Sequence, residues 1–137
     1  MQYINYTTDL SSLQKTFLFD SVKKVNILNH MVEYSKSIDE AFHALADGTR
    51  RDILRRTLTE SHTISSLSVS YEMSFAAVAK HVNVLHKAQL IIKYRVGREQ
   101  VISANIERVQ EIQALLDHYE QIWRSRLDNL DTLLPHL

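Results

Sequence analysis

Side chains able to recognise another molecule are concentrated in one stretch of the chain, residues 74–105. Its first half repeats apolar residues at i, i+3, i+7 and i+10, which predicts a two-faced helix. The opposite face holds small, basic and amide residues: Ala76, Ala77, Lys80, His81, Asn83, Val84 and Lys87. Lysine donates hydrogen bonds, whereas histidine and asparagine both donate and accept them. This face therefore suits recognition of a polar surface.

A second basic group follows directly along the chain. The segments LIIKYRV and EQVISA have the β-branched and aromatic bias of strands, and Gly97 and Arg98 separate them. This pattern predicts a β-hairpin with Arg95 and Arg98 near its tip.

Residues that cap helices precede most of the apolar runs at helical spacing. We expect four such caps, at Asp47, Thr63, Ser74 and Asn105. The apolar residues of these runs are Ile38, Phe42 and Leu45 on one face of a short helix, Ile53, Leu54 and Leu58 facing inward on the next, Ile64 and Leu67 on the third, and Phe75, Val78, Val82 and Leu85 on the inner face of the fourth. Arg50 and Arg51 oppose the dipole of their helix, so we expect ion pairs with Asp47 or an acid of the last helix.

The last predicted helix carries an apolar stripe that continues towards the end of the chain. It consists of Val109, Ile112, Leu116, Tyr119, Trp123, Leu127, Leu130 and Leu134, widened by Leu115, Ile122 and Leu133. One narrow domain does not easily cover so long a stripe, so we expect a partner helix.

The N-terminal segment shows a weaker pattern. Leu10, Leu13, Phe17, Leu18, Val22, Val25 and Leu28 have roughly helical spacing without strong caps. Met31 could itself be a natural start. We therefore interpret residues 1–31 as an extension, either a marginal helix or a mis-annotated start, and residues 32–137 as the functional domain.

Composition limits the classes of protein that remain. The 137 residues fit one domain, and only two glycines and one proline favour helices over a turn-rich β fold. The absence of cysteine excludes disulfides and thiolate metal sites. Neither a signal peptide nor a run of about 20 apolar residues is found, so a cytoplasmic protein is expected. The formal net charge is zero, but residues 38–104 hold nine Lys and Arg against seven Asp and Glu. A mildly basic middle suits a polyanion.

Two short helices joined by a tight turn, with a two-faced second helix, predict a helix-turn-helix, and the hairpin makes it winged. Such a helix enters the DNA major groove with its N-terminal turn first. Alanines there let the backbone approach the base edges, and Ser74 with the helix amides suits a phosphate. The fold class we expect is mainly α with a small β-hairpin. Its DNA-binding residues would be Ser74, Ala76, Ala77, Lys80, His81, Asn83, Lys87, Arg95 and Arg98.

Four segments in linked order carry a family resemblance: FHALADGTRRDIL, MSFAAVAKHVNVLHKAQLI, VGRE and LDHYEQIWRSRLDNLDTLL. Over about Val32 to Leu134 the chain resembles the ArsR family of winged helix-turn-helix regulators. The resemblance implies a homodimeric repressor, built on the first and last helices, that binds double-stranded operator DNA. It places Ser74, Ala76, Ala77, Lys80 and His81 on the DNA-reading segment and Arg98 on the wing. The expected dimer interface is Phe42, Leu116, Tyr119, Trp123, Leu127 and Leu130.

The chain departs from the family pattern in several places. Gln89 stands where the family usually has a glycine in left-handed backbone, and Gly48 replaces a common proline. The family's metal-binding cysteine pair is missing, because the chain has no cysteine. The family's Asp-x-His set is also missing, because Asp117 and His118 are adjacent and project about 100° apart. We therefore expect no metal and no cofactor.

Two alternatives remain open. A metal-responsive regulator could use His43, His118 or Glu120 across a dimer interface, and a protein-interaction module could keep the scaffold without binding DNA. An enzyme is not expected, because the chain has no nucleophile–base motif and no glycine-rich phosphate loop.

Overall fold

The structure is a computed structural model that describes residues 11–133, with side chains described for residues 18–130 and Thr132. Leu10 and Leu134, assigned to the first and last apolar stripes, lie outside the described residues. The helices are α1 (Ser11–Leu45), α2 (Gly48–Thr59), α3 (Ile64–Tyr71), α4 (Phe75–Lys87) and α5 (Ile106–Leu133). The strands are β1 (His62–Thr63), β2 (Ile91–Val96) and β3 (Glu99–Ala104). The predicted class, mainly α with a small hairpin, is confirmed.

Helix α1 is longer than the sequence pattern indicated. The prediction divided it between a marginal N-terminal helix and a short helix around Phe42, but it runs without a break for 35 residues. No proline or glycine occurs within it to end it. The chain divides into two compact units between Ser37 and Ile38, so α1 contributes to both. In the first unit, the large apolar side chains described between Leu18 and Tyr34 are exposed.

The core of the second unit lies among α2, α3, α4 and the sheet. Its fully buried large side chains are Ile53, Leu67, Val78, Val82, Leu85, Leu90, Ile91 and Ile102. The prediction for Leu58 was wrong, since this side chain is 43% exposed. Thr57 occupies the inward position instead, and its hydroxyl donates to the carbonyl of Leu54 at 2.9 Å. A smaller cluster joins the end of α1 to α5 through Ile38, Ala41 and Ile112.

The sheet has three antiparallel strands in the order β1-β3-β2. The predicted hairpin is β2 and β3, with Ile91 opposite Ala104 and Val96 opposite Glu99. Strand β1 was not predicted, because two residues are too short to show alternation. It pairs with the middle of β3, His62 opposite Ile102.

The predicted caps determine where α2, α3 and α4 begin. The side chains of Asp47, Thr63 and Ser74 each accept a hydrogen bond from the backbone amide three residues later. Asn105 precedes α5, and its Oδ1 accepts from the amide of Arg108. These contacts satisfy amides that have no partner inside the helix.

Arg50 and Arg51 do not form the expected ion pairs with any acid whose side chain the structure describes. Arg50 donates from Nε to the carbonyl of Ala44 at 2.6 Å and from Nη2 to that of His43 at 2.8 Å. Arg51 donates to the carbonyl of Leu45 at 2.9 Å. The last carbonyls of α1 have no partners within their helix, so these guanidinium groups cap α1 from the start of α2. No helix in the described part of the chain is long and apolar enough to cross a membrane.

Candidate nucleic-acid interface

Helix α4 is held on the domain by Val78, Val82 and Leu85, which are fully buried. The prediction that Phe75 shares this inward face was wrong, because its side chain is 57% exposed. Phe75 is the first residue of α4. It therefore lies at the edge of the buried face, beyond the residues that cover the core.

The opposite face of α4 brings together most of the residues predicted to read DNA. An open concavity of about 360 Å³ is lined by Arg50, Ser74, Ala76, Ala77, Lys80, His81 and Val84. Ser74, Ala76 and Lys80 are exposed, whereas Ala77 and His81 are half-buried. Asn83 and Lys87 are exposed but do not line this concavity. Arg50 is a lining residue that the sequence reasoning missed, although its position three residues after the Asp47 cap placed it at the start of α2.

The basic residues of this surface differ in whether they already have partners. Lys93 donates to Oδ1 of Asn83, and Nζ of Lys87 lies 3.8 Å from Oε1 of Glu40. Lys80, in contrast, has no hydrogen bond or ion pair with any residue that the structure describes. Its ammonium group is therefore available to a ligand without first breaking a contact.

His81 lies against the start of α2. Its Nδ1 is 3.6 Å from Oδ1 of Asp47, the atom that also accepts the amide hydrogen of Arg50 at 2.9 Å. The hydrogen bond from the Arg50 amide, with a smaller contribution from His81, lowers the pKa of Asp47 below its usual value. The Asp47 carboxylate therefore favours an orientation of the imidazole in which Nδ1 faces α2.

The hairpin of β2 and β3 forms the wing, with its tip at Gly97 and Arg98. Gly97 has φ +63°, and a Cβ there would meet nothing within 4 Å, so backbone conformation alone favours glycine. Arg95 lies opposite Gln100, and the pair of Val96 and Glu99 separates it from the tip. Among the described residues, neither Arg95 nor Arg98 has a hydrogen bond or ion pair. The wing therefore carries two unpaired guanidinium groups.

The residues predicted to form a dimer interface are all exposed in the single chain. They include five residues on one side of α5 and one near the end of α1: Leu116, Tyr119, Trp123, Leu127, Leu130 and Phe42. Large apolar side chains that are exposed along one face of a helix are typical of a protein–protein contact.

Metal binding was considered for His43, His118 and Glu120 across a dimer interface. No group of three or more His, Asp or Glu side chains within the described part of the chain is arranged to hold a metal ion.

Comparisons with known proteins agree with this geometry. No family model matches the chain. It is 31% identical over 84 residues to the HTH-type transcriptional regulator Rv2034 of Mycobacterium tuberculosis, covering 61% of this chain and 78% of that protein. It is 36% identical over 81 residues to YuzN of Bacillus subtilis, an uncharacterised HTH-type transcriptional regulator, covering 54% of this chain and 88% of that one.

Solved structures give the same result. An ArsR-like transcriptional regulator from Rhodococcus sp. RHA1 superposes with a TM-score of 0.66 and 28% identity, over 74% of this chain and 95% of that chain. The homodimeric winged helix-turn-helix DNA-binding domain of a possible ArsR-family regulator from Mycobacterium bovis superposes with a TM-score of 0.55, over 66% of this chain and 84% of that one. The second is only 14% identical and shows the fold alone. The chain belongs to the ArsR family of winged helix-turn-helix transcriptional regulators.

Proposed function

We propose that this protein is a homodimeric repressor that binds double-stranded operator DNA without a metal ion. Helix α4 enters the major groove, and the wing contacts the neighbouring minor groove. The observation that carries this proposal is the exposed face of α4, where Ser74, Ala76 and Lys80 surround a concavity and the ammonium group of Lys80 has no partner among the described residues.

The residues of this face have different roles in the proposal. Ala76 and Ala77 permit close approach to the base edges and contact a thymine methyl group. Lys80 donates to guanine acceptors, and His81 presents Nε2 to a base. Ser74 and the amides at the start of α4 bind a phosphate. Asn83, Lys87, Arg95 and Arg98 provide the remaining contacts on α4 and the wing.

Dimerisation is proposed on separate grounds. The apolar stripe on α5 is exposed in one chain, and a second copy would bury it. A two-fold dimer presents two copies of α4 to half-sites about one helical turn apart. The homodimer from Mycobacterium bovis has the same fold, which supports this arrangement.

Two observations on the donor set support metal independence. The chain has no cysteine, and the described His, Asp and Glu side chains form no group of three that could hold a metal ion. DNA affinity should therefore stay the same when Zn²⁺ is added or chelated. A stoichiometric Zn²⁺ site that shifts DNA binding would instead support the metal-responsive alternative.

We also propose that residues 32–137 are sufficient for function. A chain beginning at Val32 should fold, dimerise and bind the same DNA. Loss of all three properties would make the N-terminal segment an integral part of the protein.

Selection from randomised duplexes, followed by anisotropy titrations, tests DNA binding. The full chain should prefer its selected duplex over a scrambled one across a salt series. Ala76→Glu, which adds a carboxylate at an exposed position in the first turn of α4, should remove that preference and keep the circular dichroism spectrum. A folded protein that selects no sequence would favour the interaction-module alternative.

A further inference from the structure

A second concavity, of about 270 Å³, lies on the other flank of α4, between the starts of α3 and α4 and the wing. Its lining includes Thr63, Ser65, Phe75, Arg98, Glu99 and Gln100. It shares no residue with the concavity around Lys80. Of these residues, only Arg98 was expected from the sequence to bind DNA.

The lining combines an apolar surface with unpaired polar groups. The Phe75 ring is more than half exposed, although aromatic side chains gain most from burial. The guanidinium group of Arg98 has no partner among the described residues, and neither does the hydroxyl of Ser65. An apolar ring beside free donors complements a ligand that has an apolar part and an anionic part. A deoxyribose with its phosphate is such a ligand.

The position of the concavity agrees with this chemistry if the proposed docking is correct. With α4 in the major groove and the wing tip in the adjacent minor groove, the sugar–phosphate strand between the grooves has to pass between α4 and the wing. We propose that this concavity binds one nucleotide of that strand through its backbone. This inference rests on the proposed function and adds a site to it.

Each group has a defined contact in this site. The ring of Phe75 packs on the deoxyribose, and Arg98 and Ser65 donate to the phosphate. Backbone atoms are the same at every base pair, so these contacts position the protein without reading sequence. Arg98 therefore acts on the strand backbone instead of on the bases of the minor groove.

Glu99 opposes phosphate binding at the same place. Its carboxylate lines the concavity and is exposed. A negative charge beside the phosphate weakens binding, so removing it should strengthen DNA affinity. This expectation is specific to the site, because an acid far from DNA would change affinity little.

The test compares variants on the duplex selected by the full chain. Phe75→Ala should lower the affinity for the selected and the scrambled duplex equally, by about fourfold to tenfold. The dependence of affinity on salt concentration should stay unchanged. Phe75→Leu should recover part of that loss. Glu99→Gln should raise the affinity for both duplexes about two- to fivefold. Val69→Ala, on α3 at an 81% exposed position, and Glu107→Gln, in the first turn of α5, are the matched controls and should leave affinity unchanged.

Two chemical probes locate the contacts on the DNA. Hydroxyl-radical footprinting of the full chain should show a protected deoxyribose that becomes accessible in Phe75→Ala. An uncharged methylphosphonate placed at the adjacent phosphate should weaken binding by the full chain more than binding by Arg98→Ala, in which Ser65 alone still donates to that phosphate.

The outcomes separate this inference from the function on which it rests. If the full chain selects DNA but Phe75→Ala and Glu99→Gln bind it as the full chain does, the backbone site is wrong and the proposed function stands. If Phe75→Ala changes the affinity for only one of the two duplexes, the backbone site is also wrong, because Phe75 would then read a base. If the full chain selects no DNA, the function and the site both fail.

Discussion

The hydroxyl of Tyr71 donates a hydrogen bond to Oδ2 of Asp52 at 2.6 Å and joins the end of α3 to α2. The same carboxylate oxygen accepts from Nε of Arg56 at 2.9 Å, and the Arg56 guanidinium lies 4.9 Å from the centre of the Tyr71 ring. The hydrogen bond from Tyr71, followed by those from Arg55 and Arg56, holds the pKa of Asp52 well below its usual range. This cluster therefore holds the first helix of the helix-turn-helix against α2.

The cluster predicts how stability changes with pH. The folded-state pKa of Asp52 is lowered, so its contribution to the free energy of unfolding is present above the unfolded value near 4 and is lost as pH falls. Burial and the bond to Asp52 raise the pKa of Tyr71 to about 12. The contribution of Tyr71 is therefore present below the unfolded value near 10 and is lost as pH rises towards the folded value.

Tyr71→Phe tests both limits. It should lower the free energy of unfolding at pH 7 by about 1 kcal/mol. It should also reduce the loss of stability above pH 10 and below pH 4, measured by urea titration at each pH. Tyr94→Phe is the control, because hydrogen bonds with Ser103 and Ser61 lower the pKa of Tyr94. The loss of stability above pH 10 should therefore remain in this variant. Parallel pH curves for Tyr71→Phe and the full chain would contradict the assignment.

The parts of the fold that the sequence predicted correctly depend on local chemistry. Asp47, Thr63 and Ser74 satisfy amides within three residues of themselves, so their capping can be read without the tertiary structure. Both strands of the wing were recognisable by composition because six residues each are enough to show it.

Two of the errors arise from contacts between one element and another. Phe75 fits the apolar period of α4, but the described residues leave its side chain 57% exposed. Arg50 and Arg51 needed negatively polarised partners, and the carbonyls at the end of α1 supply them six or seven residues away. The positive charge of the two arginines had led us to expect carboxylate partners. A helix end without its own cap was the signal that could have identified these partners.

The candidate site was also only partly predictable. The sequence selected the residues of the α4 face, yet it did not show that Asn83 and Lys87 already have partners in Lys93 and Glu40. Such pairs depend on how β2 and α1 approach α4. Lys80 could be distinguished from Lys87 only after these contacts were described.

Gln89 has φ +62°, in the left-handed region that disfavours a side chain. We expected this conformation because the family usually has a glycine at this position. Gln89→Gly should therefore raise the free energy of unfolding by about 1 kcal/mol, because left-handed backbone costs a non-glycine residue about that much. Differential scanning calorimetry should show a higher midpoint. An unchanged or lower midpoint would mean that the side chain of Gln89 makes a compensating contact. Gln110→Gly, within α5, is the control and should be destabilising.

Trp123 is 60% exposed on the α5 stripe, so a single chain gains little from burying it. If the stripe is the dimer interface, Trp123→Ala should leave the secondary structure intact and weaken dimerisation by about 2–4 kcal/mol. Sedimentation equilibrium measures the dissociation constant. Gln121→Ala, on another side of the same helix, should leave the dimer unchanged. A Trp123→Ala protein that dimerises like the full chain would place this residue outside the interface.

Lys80 and Lys87 are two lysines of α4 that separate base reading from general charge. Lys80 has no partner among the described residues, whereas Lys87 lies 3.8 Å from Glu40. Lys80→Ala should weaken the binding free energy for the selected duplex by about 1–3 kcal/mol, because it removes a donor to a base edge. It should also relax the sequence preference at one base pair. Lys87→Ala should cost less and affect selected and scrambled duplexes equally, since its charge is already partly compensated. Anisotropy titrations against duplexes substituted at each base pair measure both effects. If Lys80→Ala lowers affinity equally for every duplex and reduces the salt slope by about one, Lys80 contacts a phosphate and the base is read by another residue of the α4 face.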